Sequence, residues 1–112
     1  MSQKYNILYQ DKHITITDFG IIINKYYFPL ATSKTILFQE ISKISILDAK
    51  KVYHPWGISP KYLNDWFHYD NKRWSKDRFL EVEIKGNNIK SAITPENIDE
   101  AFDALRKHFN EI

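Results

Sequence analysis

The sequence predicts a mainly β fold: a partly open antiparallel barrel or sandwich of about seven strands, capped by one C-terminal α-helix. Three observations indicate this class. Several short stretches alternate apolar and polar residues, as strands with one buried face do. Turn residues separate these stretches at short intervals, and residues 94–112 change to a helical period. A chain of 112 residues is expected to form one domain, 1–112.

The first two predicted strands form a hairpin. In "HITITD", Ile14 and Ile16 face one way and the threonines face the other. "DFG" at 18–20 indicates a turn, because glycine tolerates positive φ. "GIIINKYYF" follows as a longer strand rich in β-branched and aromatic residues. Pro29 is expected to end it, since its nitrogen cannot donate to a ladder.

Four more stretches complete the predicted sheets. "KTILFQ" is the third strand candidate, and "EISKISIL" is the fourth, with Ile44 and Ile46 on one face. "FLEVEIK" alternates most cleanly, which predicts its apolar side chains inward and its charged ones, Glu81, Glu83 and Lys85, outward. "GNN" predicts a tight turn into the returning strand "IKSAI".

The C-terminal segment predicts an amphipathic helix from Pro95 to about Phe109. Thr94 is a suitable N-cap, and Pro95 suits the first helical position, where no N–H is needed. Apolar residues spaced by three or four form one stripe: Ile98, Ala101, Phe102, Leu105, Phe109 and Ile112. This stripe is expected to cover the open mouth of the sheets.

Composition and charge exclude several classes of protein. The chain has no cysteine, which rules out disulfides and thiol chemistry and fits a reducing cytoplasm. The N-terminus lacks the apolar stretch of a signal peptide, and no apolar run is long enough to span a membrane. The net charge of only +2 argues against a general nucleic-acid binder.

The order of elements resembles the pleckstrin-homology (PH-like) superfold, and more closely the small bacterial PH-like proteins of unknown function. The stretches that carry the resemblance are "ITITDFGIIINKYYFPL", "LFQEISKISI" and "WSKDRFLEVEIKGNNIKSAITPENIDEAFDALRKHF". The resemblance implies a barrel capped by a helix and a binding or assembly role, and it supplies no catalytic residues. The first predicted hairpin loop, "TDFGI", lacks the basic cluster typical of phosphoinositide-binding members.

The stretch from His54 to Arg78 contains all three tryptophans, and residues 49–78 carry seven bases and three acids. Two interpretations stay open. The rings either complete the core of a small domain or form a contact surface, because Trp, Tyr and Arg dominate binding energy at interfaces. We expect a mixture in which Trp66 is buried and the bases stay on the surface. The candidate binding residues are Trp56, Lys61, Arg73, Trp74, Lys76 and Arg78.

The functional hypothesis is a non-enzymatic module that binds another protein or itself, without a cofactor. The alternative is a peripheral membrane module that binds anionic lipid through segment 50–78, using Lys50, Lys51, Lys61, Arg73, Lys76 and Arg78. Binding of single-stranded nucleic acid by the same segment is a third, weaker hypothesis. His54 and His68 match no usual metal-ligand spacing, so no metal site is predicted.

Overall fold

The computed structural model describes residues 6–27, 30, 32–48, 55–59 and 62–109. These residues form nine strands and one helix: β1 (Ile7–Gln10), β2 (Ile14–Thr17), β3 (Gly20–Tyr27), β4 (Thr32–Leu37), β5 (Ile41–Asp48), β6 (Gly57–Ser59), β7 (Tyr62–Phe67), β8 (Arg78–Ile84), β9 (Lys90–Ile93) and α1 (Ile98–Arg106). The predicted class is confirmed: the fold is mainly β, with two sheets and one C-terminal helix. No helix among the described residues is long and apolar enough to cross a membrane.

The two sheets differ in their construction. The first is a simple meander in the order β1-β2-β3-β4, and its β2–β3 pair is the predicted hairpin. The second has the order β5-β8-β9-β7-β6, in which β7 runs parallel to β9. The core lies between the sheets and under α1, and isoleucines from β2, β3, β4 and β5 fill much of it. The expected end of β3 at Pro29 lies outside the described residues.

Gly20 is needed for a reason that the turn pattern does not reveal. Its φ is not positive, unlike those of Gly57 and Gly86. A Cβ atom at Gly20 would instead lie 2.2 Å from the carbonyl oxygen of Ile36 on the neighbouring strand β4. The glycine therefore permits a close backbone approach between β3 and β4 rather than an unusual turn.

Glu81 faces outward as the alternation predicts, but it is not exposed to solvent. Leu80 and Val82 are buried as expected, but Glu81 is also buried, on the outer face of the second sheet. Asp65 of β7 lies near it, and the pKa of Asp65 is raised to about 7 by burial and by its hydrogen bond with Glu81. Lys90 Nζ lies 3.8 Å from Glu81 Oε1 and supplies the nearby positive charge.

The helix begins three residues later than predicted. Asn97 is the N-cap, and its side chain accepts a hydrogen bond from the Glu100 N–H at 3.1 Å. Thr94 lies three residues before this cap, and its hydroxyl donates to Asp70 Oδ2. Ala101, Ala104 and Leu105 are buried, whereas Ile112 of the predicted stripe lies outside the described residues.

Leu105→Ala should lower the free energy of unfolding by about 2–5 kcal/mol, because it removes a fully buried side chain from the contact between α1 and the core. Urea melts would measure the change. Arg106→Ala, on the exposed side of the same helix, is the matched control and should cost less than about 0.5 kcal/mol. Equal losses for both variants would contradict the packing of α1 on the sheets.

Candidate functional site

The tryptophan-containing segment 49–77 lies between two strands that are neighbours in the second sheet, and we call it the insertion. Asp48 at the end of β5 pairs with Arg78 at the start of β8, so the chain leaves the sheet and returns to it at the same place. The intervening residues 49–77 supply β6 and β7, which extend the second sheet beyond β9. Of the seven other strands, β2, β3, β4, β5, β8 and β9 match the predicted order, and β1 was not predicted. The remaining strands, β6 and β7, come from the insertion.

Strand β3 is interrupted where it meets this insertion. Ile23 pairs with Lys34 and Tyr27 pairs with Thr32, so β3 has two more residues than β4 between these pairs. Within the irregularity, Lys25 has a φ of +52°, which is uncommon for a residue with a side chain. The Lys25 carbonyl accepts from the Tyr69 N–H at 2.9 Å, and the next carbonyl, of Tyr26, accepts from Trp66 Nε1 at 2.8 Å. The insertion therefore satisfies carbonyl groups that β4 does not pair.

The same irregularity brings two neighbouring tyrosines to one surface. In a regular strand, Tyr26 and Tyr27 would face opposite sides of the sheet. Here their rings make an edge-to-face contact with centroids 5.0 Å apart, and both line one groove. The Tyr26 ring is 6.2 Å from that of Trp66, which is 6.3 Å from that of Trp56. Four aromatic rings thus form a continuous row.

We define the aromatic groove as a cleft of about 290 Å³ beside this row of rings. Its lining residues are Tyr26, Tyr27, Lys34, Trp66, Asn87 and Ile89. Tyr27 is 44% exposed there, and Ile58, the register partner of Trp66 on β6, is 41% exposed. Sequence reasoning missed Tyr27 and Lys34 as site residues, since the irregularity in β3 is not visible as a pattern of alternation.

The six predicted site residues do not form one surface. Trp56 is half-buried against Trp66, which is itself only partly buried. Arg78 is exposed, and its Nη1 lies 3.1 Å from Asp99 Oδ1 at the start of α1. Lys61 and the side chain of Trp74 lie outside the described part of the structure.

Arg73 corrects the expectation that the bases stay on the surface. It is only 1% exposed, and its guanidinium lies 4.8 Å from the centre of the Phe67 ring and donates through Nη2 to the carbonyl of His68. Burial lowers its pKa to about 10. Arg73 therefore closes the outer face of the second sheet, where Phe67 and Phe79 form a small second core.

Lys76 is also used inside the protein. Its ammonium donates to Asp70 Oδ2 at 2.7 Å and to the Thr94 carbonyl at 2.8 Å, and it lies 3.2 Å from His13 Nε2. Burial by itself raises the pKa of Asp70, but hydrogen bonds from Lys76, Thr94 and a backbone N–H outweigh burial and lower it. The carboxylate is ionised, and its charge neutralises the ammonium beside it.

His68 is fully buried within this network. Its Nε2 accepts from the Thr94 N–H at 3.1 Å, which requires the neutral tautomer with its proton on Nδ1. Burial, reinforced by the charge of Arg73, holds the pKa of His68 well below its usual range. Burial and the charge of Lys76 also lower the pKa of His13. His13 and His68 are thus both neutral, and His13 lies beside the ammonium of Lys76.

The fold brings together one set of potential metal ligands that sequence spacing could not reveal. Within the described residues, ligand atoms of His13, His68 and Asp70 lie within 4.8 Å of one another. The Lys76 ammonium already contacts two of these three residues, so a metal ion would have to displace it. The geometry favours an internal ion pair over a metal centre.

A polar cleft of about 250 Å³ opens beside the network. Its lining residues are Lys12, His13, Asn24, Lys25, Tyr69, Asp70 and Asn71. Most of its charges have internal contacts: Lys12 Nζ lies 3.5 Å from Glu96 Oε1, and Lys25 Nζ lies 5.7 Å from the centre of the Tyr69 ring. The cleft is thus less available for an external ligand than the aromatic groove.

Comparisons with protein-family models, with curated proteins and with solved structures give no match for this chain.

Arg73→Ala should lower the free energy of unfolding by about 3–5 kcal/mol, because it removes a buried cation from its stacking and hydrogen-bonding partners. Arg78→Ala, an exposed arginine in the same segment, is the control and should leave the melting temperature almost unchanged. Thermal melts of the two variants measure the difference. Equal effects would show that Arg73 lies on the surface, as its sequence context indicated.

His68→Gln should reduce the acid sensitivity of the fold. In the wild type, His68 takes up a proton below about pH 6.5 in the unfolded chain but not in the folded one. The free energy of unfolding therefore decreases as the pH is lowered. A single proton changes the free energy of unfolding by at most about 1.4 kcal/mol per pH unit, which is the upper limit of the slope that His68 adds. Glutamine keeps an acceptor for the Thr94 N–H without titrating.

Urea melts from pH 5 to 7 compare the wild type with His68→Gln, and His108→Gln at an exposed site is the control. Parallel profiles of wild type and His68→Gln would contradict the neutral, buried state of His68.

Proposed function

We propose that this chain is a non-enzymatic PH-like binding module that recognises a segment of another protein through the aromatic groove. The observation that carries the proposal is the continuous row of four rings, with Tyr27 44% exposed beside a cleft of about 290 Å³. Aromatic anchors beside a cleft are typical of the parts of interfaces that contribute most binding energy.

Exposed apolar side chains support a protein partner. Tyr27 is 44% exposed in the groove, and Ile58 is 41% exposed on the strand that pairs with Trp66. Apolar surface of this kind beside a cleft usually marks a contact site, because exposing it to water is unfavourable. The lining residues of the groove include no carboxylate, histidine or serine, so its chemistry suits binding.

The bases of the insertion give less support to the lipid alternative. Arg73 is buried, Lys76 is bound to Asp70, and Arg78 is paired with Asp99. Lys50, Lys51 and Lys61, which that alternative also needs, lie outside the described residues. An anionic membrane requires several bases that face it together, and the three described ones do not.

The PH-like assignment rests on the order of the elements. Apart from the insertion, the chain forms a four-stranded meander, a second sheet of three consecutive strands, and a terminal helix packed against the first and eighth strands. A cytoplasmic, bacterial origin belongs to the same proposal and agrees with the absence of cysteine.

A random dodecapeptide library displayed on phage tests the proposal even though the partner is unidentified, because the library offers segments of every composition. Peptides selected on the wild type would be titrated against it by tryptophan fluorescence. Tyr27→Ser and Ile58→Ser should each weaken binding at least about tenfold, since Tyr27 lines the groove and Ile58 is the exposed neighbour of its lining residue Trp66.

Ile7→Ser is the matched control, because Ile7 is 42% exposed on β1, and neither Ile7 nor its register partner Thr17 lines the groove. Peptides that bind all three variants equally would contradict the groove as the docking site. The lipid alternative would be favoured if the wild type bound vesicles of phosphatidylcholine and phosphatidylserine, if Arg78→Glu lost this binding, and if Ile58→Ser kept it.

A further inference from the structure

We infer that the aromatic groove selects a segment in which a carboxylate side chain lies close to an apolar one. This inference rests on the proposed function, and it names the chemistry of the partner. The described lining residues of the groove supply an apolar floor of rings and a single formal charge, the ammonium of Lys34.

Lys34 is placed where its charge is difficult to solvate. It projects from β4, is only partly exposed, and its Nζ lies 4.7 Å from the centre of the Tyr26 ring. The ring face attracts the ammonium but replaces only part of the hydration lost on burial. Burial accordingly lowers the pKa of Lys34, and the attraction of Glu40 offsets only part of this effect.

Glu40 does not satisfy the ammonium, because it is used elsewhere. Its Oε1 accepts a hydrogen bond from the Leu37 N–H at 2.8 Å, at the start of the short 3-10 turn Phe38–Glu40. Among the described residues, no carboxylate lies within ion-pair distance of Lys34. A ligand carboxylate would meet a partly desolvated cation, for which ion pairing is stronger than at an open surface.

The other lining residues add no competing charge. Asn87 and Ile89, from the turn between β8 and β9, are neutral, and so are the three rings. A basic ligand would meet only the like charge of Lys34. The groove thus combines attraction for an acidic group with apolar contact area, and it disfavours a basic segment.

The test uses two dodecapeptide libraries on phage that share the same apolar and polar residues. One contains Asp and Glu without Lys or Arg, and the other contains Lys and Arg without Asp or Glu. Both are panned on the wild type, on Lys34→Glu, and on Lys43→Glu. Lys43 is an exposed lysine of β5, so its reversal changes net charge equally without altering the groove.

The wild type and Lys43→Glu should recover the acidic library at least about tenfold over the basic one, and Lys34→Glu should reverse this preference. If the wild type and Lys34→Glu preferentially recovered the same library, the inference would be overturned. If circular dichroism shows that Lys34→Glu does not fold, Lys34→Met replaces it. Lys34→Met should then bind the selected acidic peptides at least about tenfold more weakly than the wild type, and unchanged binding would overturn the inference.

The Ile58→Ser variant separates the proposed binding of a protein segment in the groove from the inferred preference for a carboxylate. Recovered peptides that lose binding to Ile58→Ser but show no charge preference would overturn the carboxylate inference and leave the protein-binding groove in place. Failure of both libraries to yield a peptide sensitive to Ile58→Ser would contradict the proposed function itself.

Discussion

The irregularity in β3 is the constraint on which the rest of the candidate site depends. Where β3 separates from β4, the carbonyls of Lys25 and Tyr26 need other donors, because an unpaired polar group in a buried place costs free energy. The Tyr69 N–H and Trp66 Nε1 supply them. These bonds attach the inserted segment to the first sheet, and the same distortion turns two adjacent tyrosines toward one groove.

A second attachment shows how the inserted segment uses one of its bases internally. The Lys76 ammonium joins three parts of the chain: Asp70 in the insertion, Thr94 after β9, and His13 before β2. Removing one partner of such a buried set would leave an uncompensated charge, so each group holds the others in place. Among the described bases of the insertion, Arg73 and Lys76 are thus used in internal contacts.

Periodicity predicted the strands and the helix because it reports which face of each element is buried, and that requirement is local. The N-cap shows where local reasoning ends. Thr94 and Asn97 are both suitable caps, and only the position of Asp70 in space assigns the Thr94 hydroxyl to another partner. Arg73 shows the same limit, since neighbouring charges and turn residues indicate solvent, whereas Phe67 and the His68 carbonyl bury it.

Only part of the aromatic groove could be predicted from the sequence, because the backbone irregularity of β3 places the other residues. Trp56 could be identified from composition, but Tyr27 and Lys34 enter the site through a backbone feature that alternation cannot describe. A left-handed conformation at Lys25 costs roughly 1–2 kcal/mol relative to a regular strand. The two carbonyl bonds from the insertion offset that cost. This strain is not relieved by glycine, and it persists beside a row of rings of which Tyr27 is 44% exposed, as expected where a strained backbone shapes a binding site.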